Sequence, residues 1–146
     1  MTGGKGPQSD VAGAGETAAE LFCCGWNCAE AVFLAICRQI GEDDRSAHLL
    51  TALGGGIGDS GRTCGALTGA VVALGLRYGR RQPDTAAKHV AYAKAHRLYK
   101  AFHERFHSIE CRELINRGPN ETTEYEPCAA IVRYAAELVA ASLAEA

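Results

Sequence analysis

Seven cysteines are the residues of this 146-residue chain whose type points most directly to chemistry. A cysteine thiolate attacks disulfides, forms disulfides and binds metal ions. The seven lie at Cys23, Cys24, Cys28, Cys37, Cys64, Cys111 and Cys128. None of them are paired as C-x-x-C, the spacing of common redox and zinc motifs. Any thiol pair or metal site must therefore be assembled by folding from separate segments.

Two of these cysteines follow residues that favour the start of a helix. Asn27, Cys28 and Glu30 form a capping-box pattern, in which Asn27 caps the helix and Glu30 reaches back to it. Thr63 is placed to cap a helix that Cys64 opens. We therefore expect both thiols at helix N-termini.

Two further cysteines have the same setting. Ser108 is placed to cap a helix with Cys111 in its first turn, and Pro127, favoured at the first helical position, precedes Cys128. The positive end of a helix stabilises a nearby anion by about 0.3–1 kcal/mol, and by about 2 when partly buried. We expect this effect to lower a thiol pKa from about 8.5 to about 7–8.

Helical periodicity also predicts where these side chains point. At about 100° per residue, Cys64 and Cys128 align with the apolar faces of their helices. Cys111 aligns with Leu114, and Cys28 lies at the edge of an apolar stripe. Each could therefore be a small buried hydrophobic residue, as cysteine often is. Four helix-start cysteines together favour a shared chemical role.

The glycine-rich loop GGGIGDSG before Cys64 has two possible interpretations. It contains G-x-G-x-x-G and resembles a phosphate-binding P-loop, with Arg62 in place of the lysine. Such loops follow a β-strand, whereas the preceding segment SAHLLTAL is predicted to be helical. We therefore expect no nucleotide, and assign the glycines to a tight turn that presents Cys64.

Residues 103–107 spell H-E-x-x-H, the zinc-protease motif, with His103, Glu104 and His107 at the key positions. On the predicted helix these histidines lie about 135° from the apolar stripe. They should therefore face solvent or a partner, and a zinc-dependent hydrolase is only a remote alternative.

The remaining cysteines have less distinctive settings. Cys37 lies four residues after Phe33 inside a predicted helix, so we expect it to pack in the core. Cys23 and Cys24 precede a glycine and could resolve a disulfide with Cys28.

The elements that position these residues are predicted to be all α-helical, because apolar residues recur at spacings of three and four. A single domain of six or seven helices should cover residues 16–146, after a disordered glycine-rich tail over residues 1–15. Gly65, Gly69 and Ala73 should allow a second helix to approach closely. The predicted helices span about 16–24, 28–40, 45–53, 63–80, 83–107, 109–116 and 127–144.

Charge and hydropathy narrow the function classes. With 15 basic and 17 acidic residues and a net charge of −2, no basic stripe indicates nucleic-acid binding. The N-terminus has no signal-peptide pattern, and the apolar run 64–76 is too short to span a bilayer. We expect a cytoplasmic protein without membrane insertion, in which thiols stay reduced and serve as ligands or catalysts.

Several motifs together resemble a known family. They are C-x-x-x-C-A-E-A-V from Cys24, T-C-G-A-L-T-G-A from Thr63, L-G-L-R-Y-G-R from Leu74 and H-S-I-E-C-R-E-L from His107, followed by Cys128 before an apolar helix. This pattern, over about residues 20–140, resembles the C_GCAxxG_C_C family of small redox-active proteins, named for its four cysteines and CGAxxG motif. Its most specific part is CGALTG at 64–69.

The resemblance implies a redox or metal role for Cys28, Cys64, Cys111 and Cys128. It also implies a relation to the domain of split-Soret cytochromes for which an iron–sulfur cluster is proposed. The four thiols could hold an iron–sulfur cluster or zinc, or could cycle between thiol and disulfide with an unknown redox partner. A helical scaffold or homo-oligomerisation module with packing cysteines is the alternative. Covalent haem is not expected, since C-x-x-C-H is absent from the sequence.

Overall fold

The computed structural model describes residues 10–116 and 126–145. Within these ranges the chain is helical, which confirms the predicted fold class, and its only β-type pairing is a bridge between Thr63 and Glu110. The helices are α1 (Val11–Cys23), α2 (Cys28–Ile40), a 3-10 helix (Arg45–Leu53), the single turn α3 (Gly54–Ile57), α4 (Gly65–Tyr78), α5 (Thr85–Phe106), the single turn α6 (Cys111–Leu114) and α7 (Glu126–Ala144).

Helix α2 is the centre of the packing. All nine of its residues from 29 to 37 are buried, and it contacts α1, α4 and α7. The first and last helices, α1 and α7, pack along each other. By contrast, α5 buries only Leu98 and Phe102 and covers α4 and α7 from outside. The core is therefore formed mainly by four helices, with α2 among them.

Helix α1 begins at Val11, which is five residues earlier than expected. The side chain of Asp10 accepts a hydrogen bond from the N–H of Gly13 at 3.0 Å and caps the helix. Gly15 is buried so closely against α7 that an added Cβ would lie 2.7 Å from a carboxylate oxygen of Glu137. The glycines at 13 and 15 thus belong to a packed helix. Only residues 1–9 of the predicted tail lie outside the described residues.

The close approach predicted for α4 is confirmed. A Cβ at Gly69 would lie 2.6 Å from the carbonyl oxygen and 2.7 Å from the Cα of Ala29 in α2. Glycine therefore allows the two backbones to touch at this crossing. Because the crossing lies near the N-termini of both helices, it brings the start of α2 beside the start of α4.

Helix α7 is also apolar. Its segment Pro127–Ala144 is long and apolar enough, by length and composition alone, to cross a membrane. In this fold, however, Ile131, Val132, Ala135 and Val139 are buried against the other helices. This pattern is that of a core helix, in which the apolar residues are used for packing.

Candidate four-cysteine centre

Four cysteines from four separate segments line one small cavity. They are Cys28, Cys64, Cys111 and Cys128, and the cavity is closed by Ala66, Leu114, Ile115 and Ile131. Its volume is about 20 Å³, enough for one water-sized sphere. The structure therefore brings together the four cysteines that the sequence singled out.

Cys28 is the first residue of α2, and the predicted capping box before it is confirmed. The N–H of Glu30 donates to Asn27 Oδ1 at 2.9 Å, and the N–H of Asn27 donates to Glu30 Oε1 at 3.0 Å. The other carboxylate oxygen of Glu30 accepts from Thr51 Oγ1 at 2.5 Å. Asn27 Nδ2 donates to the Thr51 carbonyl at 2.9 Å. These bonds fix the start of α2 to the 3-10 helix and so position Cys28.

Cys64 is positioned differently from the prediction. It is itself the N-cap of α4, and Thr63 does not cap this helix. Thr63 instead pairs with Glu110, and the N–H of Cys64 donates to the Ile109 carbonyl at 2.8 Å. The backbone pairing, which needs both segments in place, overrides the local capping preference. It also holds Cys64 close to the segment that carries Cys111.

The segment before Cys111 has a related difference. The N-cap of α6 is Glu110, and Ser108 is not the cap. The buried hydroxyl of Ser108 accepts from the N–H of Glu110 at 3.0 Å and donates to Glu113 Oε1 at 2.5 Å. It therefore still braces the short turn that begins at Cys111. Cys128 is the third residue of α7, so its first-turn placement agrees with the prediction.

The glycine loop serves two cysteines that the sequence did not connect with it. Gly55 and Gly56 have φ values of 64° and 68°, and Ile57, Gly58 and Asp59 also have positive φ. This left-handed run is strained at its two non-glycine residues, a feature that clusters at functional sites. The only sequence signal for it was the run of three glycines.

The loop makes close contacts with Cys28 and Cys111. The backbone of Gly55 opposes the rise in the pKa of the Cys28 thiol that burial causes. A Cβ on Gly56 would lie 2.7 Å from Cys111 Cβ and 2.6 Å from the Arg62 nitrogen. Glycine at position 56 is thus required by both conformation and space. The loop supports the cysteine cavity from one side.

Several amides of this loop are used within it. The N–H groups of Asp59, Gly61 and Arg62 donate to carbonyl groups of residues 54–56 at 3.0–3.2 Å. A phosphate cradle needs such amides directed at a ligand. The preceding segment is a 3-10 helix rather than a strand. Both observations favour the cysteine interpretation of the loop over the phosphate interpretation.

The predicted lowering of the thiol pKa is wrong for Cys28, Cys64 and Cys111. Burial, with the neighbouring Cys28 and Cys111 adding to it, raises the pKa of Cys64 to about 12. Burial also raises the pKa of Cys111, to which Cys28 and Asp59 contribute by charge repulsion. Desolvation in an apolar cavity therefore outweighs the helix ends. Without a cation, these thiols are neutral near pH 7.

Burial and backbone N–H groups have opposite effects on the pKa of the Cys28 thiol. Burial raises the pKa of its thiol, whereas backbone N–H groups of Gly55, Ala29, Cys28 itself and Gly65 oppose the rise. A Cβ at Gly65 would overlap Cys28 Sγ. The sulfur therefore lies in a pocket of backbone donors, although burial has the larger effect.

The donor set suits a metal, but the distances in this conformation do not. Four cysteine sulfurs are the ligands of structural zinc sites and of iron–sulfur clusters. Within the described residues, however, no group of three or more His, Cys, Asp or Glu side chains is arranged to hold a metal ion. Binding of a single ion would require the sulfurs to move closer together. A cluster of several iron and sulfide atoms is larger than the cavity and would require the helix ends to move apart.

The other candidates lie away from this cavity. Cys37 is fully buried in the core, so its predicted packing role is confirmed. Cys23 and Cys24 are exposed. His103 and His107 are exposed, and His107 is the left-handed C-cap that ends α5, with φ of 64°. His107 therefore lies at the end of the helix, whereas a zinc-protease motif places both histidines within one helix.

The fold and the cavity together define a class of protein, a helical domain whose helix starts bring four cysteines into one cavity. The chain matches the family model described as putative redox-active protein (C_GCAxxG_C_C) over residues 26–142, and it belongs to that family. The match includes all four cysteines of the cavity. Comparison with curated proteins and with solved structures gives no match.

Proposed function

We propose that the four cysteines bind a metal or an iron–sulfur cluster and that this centre carries the redox function of the family. The observation that carries the proposal is the shared cavity, lined by Cys28, Cys64, Cys111 and Cys128. The four thiols come from segments up to a hundred residues apart in the sequence. If each only filled space in the core, they would not need to line the same cavity. A cation that binds all four thiols would need them around one such cavity.

The raised pKa values favour a metal over disulfide cycling. Thiol–disulfide exchange begins with a thiolate, and the thiolate form of Cys64 is strongly disfavoured by burial. A bound cation reverses this effect because it deprotonates a coordinating thiol. The same buried cavity that makes a free thiol unreactive therefore suits a thiolate whose charge is compensated.

The protein groups around Cys28 would support the charge of a bound sulfur. Backbone N–H groups of Gly55, Ala29 and Gly65 approach its Sγ. Hydrogen bonds to ligand sulfurs are one of the means by which proteins set the reduction potential of such centres. Iron or an iron–sulfur cluster, when bound, would supply the one-electron chemistry, while these residues would hold the sulfurs and offset their charge and the apolar wall would exclude water.

Anaerobic purification followed by metal and sulfide analysis and a visible spectrum tests the proposal. The serine variants of Cys28, Cys64, Cys111 and Cys128 should each reduce metal retention to a similar extent, because one centre needs all four ligands. Cys37→Ser is the matched control, since Cys37 is buried, as Cys64 is, but lies elsewhere in the core.

Two other outcomes would contradict the metal centre. Metal-free protein that cycles two disulfides under mild oxidant, with the four variants falling into two classes, would identify paired thiols instead. Protein that neither binds metal nor oxidises would support the scaffold alternative.

A further inference from the structure

An apolar groove lies between the 3-10 helix and α4, with a volume of about 360 Å³. Three helices contribute to its wall, since α2, the 3-10 helix and α4 all carry apolar residues that line it. These residues are Phe33, Leu49, Leu50, Leu53, Val72 and Leu76. None of them belongs to the described lining of the four-cysteine cavity. The groove is therefore a separate feature of the surface.

Apolar side chains at this groove remain exposed to water. Leu49 is 70 % exposed, more than any other large hydrophobic residue in the described parts of the chain, and it stands at the rim of the groove. Val72 on the opposite wall is 41 % exposed, and Val71 beside it is also exposed. Adjacent exposed apolar residues of this kind mark surfaces that bind a partner. One face thus carries both a protruding leucine and a hollow.

Two charged side chains of opposite sign also line the groove. Glu42 and Arg81 are both exposed, and neither forms an ion pair or a side-chain hydrogen bond within residues 10–116 and 126–145. Their neighbours differ in this respect. Asp43 pairs with Arg45 at 2.5 Å, and Arg80 donates to a backbone carbonyl at 3.2 Å. The groove therefore offers one positive and one negative group for a contact outside the chain.

A surface with these features is complementary to itself. In a two-fold dimer the same patch of both copies meets, so that each residue of one copy contacts a different residue of the other, and the reverse contact also occurs. The protruding Leu49 of one copy then meets the hollow of the other. Glu42 of one copy likewise meets Arg81 of the other, so both charge contacts join opposite signs. A second copy of this chain supplies every feature that the groove requires.

We infer that this chain forms a two-fold symmetric homodimer through this groove, with Leu49 of each copy packed in the groove of the other and Glu42 paired with Arg81 across the interface. The contact removes from water the apolar surface that a single copy exposes, and it pairs the two charges. The groove uses later residues of α2 and α4 than the four-cysteine cavity does. Dimerisation is therefore independent of the proposed metal centre.

Analytical ultracentrifugation of the full chain over a range of concentrations tests the interface. Wild type should form a dimer, and Leu49→Asp should raise the dimer Kd by at least about tenfold, because it places a carboxylate in the apolar contact. Val90→Asp is the matched control, since Val90 is also exposed, at 50 %, but lies on α5 outside the groove. Wild type that stays monomeric up to about 1 mM would overturn the inference, as would equal effects of the two variants.

Charge reversal tests the two-fold symmetry. Glu42→Arg alone brings two arginines together at both charge contacts, and Arg81→Glu brings two glutamates together, so each variant should raise the dimer Kd by at least about tenfold. An equimolar mixture of these two variants should recover dimers, because every charge contact in the mixed dimer again joins arginine to glutamate. The double variant should recover them as well. Variants that dimerise like wild type, or a mixture that remains monomeric, would show that this pairing does not form.

Discussion

The raised pKa of Cys64 makes the stability of the metal-free protein depend on alkaline pH in a defined direction. Its folded value of about 12 lies above the ordinary value of 9.0. Between these values the unfolded chain loses a proton that the folded chain keeps. The stabilisation is therefore fully present below pH 9 and is lost as pH rises towards 12.

The size of this effect follows from the two pKa values. Each pKa unit corresponds to about 1.4 kcal/mol, so raising the pH from 8 to 10.5 should remove about 2 kcal/mol that is due to Cys64. The measurement is urea unfolding of wild type and Cys64→Ala at both pH values, with chelator and reductant present. The difference in unfolding free energy between them should shrink by this amount.

Cys23→Ala is the matched control because Cys23 is exposed. The difference in unfolding free energy between wild type and Cys23→Ala should not shrink between the two pH values. If the helix end controlled Cys64 instead, its folded pKa would lie below 9. Stability would then rise with pH between that folded pKa and about 9, and it would level off above pH 9. A difference between wild type and Cys64→Ala that stays constant or grows between pH 8 and 10.5 would refute the burial argument.

Two pairs of glycine variants test the packing that positions the centre. Gly69→Ala forces a Cβ against the backbone of α2 and should lower the unfolding free energy by about 1–3 kcal/mol. Gly75→Ala, in open space on the same helix, should raise it by about 0.5–1 kcal/mol. Equal effects of the two variants in urea unfolding would show that the helix crossing is not tight. Gly56→Ala and Gly58→Ala both place alanine at positive φ, but only the first also meets backbone and Cys111, so it should cost about 1–3 kcal/mol more and reduce metal retention more strongly. Equal losses would mean that conformation alone, and not contact with Cys111, requires Gly56.

Features encoded by neighbouring residues were predictable from the sequence. The bounds of α2 match the prediction, and its capping box is present, because Asn27, Cys28 and Glu30 suffice to define it. The choice of four cysteines also agreed with the cavity, since position in a first turn is a local property. The 3.6-residue periodicity likewise placed the predicted helices to within a few residues, except for the start of α1. The segment 45–53 is a 3-10 helix, and the single turn α3 was not predicted.

Features that depend on distant segments were not predictable in this way. Thr63 lost its expected capping role to pairing with Glu110, about 47 residues away. Glycines 13 and 15 suggested a tail, but the first is bonded to the cap residue Asp10 and the second packs against α7. The direction in which the Cys64 pKa shifts depends on how deeply the fold buries the thiol. The helix dipole, which is all that the local sequence indicates, has the opposite and smaller effect.

The packing of α1 against α7 constrains when this domain can fold during its synthesis. During translation α1 leaves the ribosome long before α7 exists, and Cys28 waits for Cys128, a hundred residues behind it. The nascent chain therefore presents an apolar helix without its partner and an incomplete set of sulfurs. A cofactor held by all four cysteines would therefore be completed only after α7 has emerged and closed the cavity.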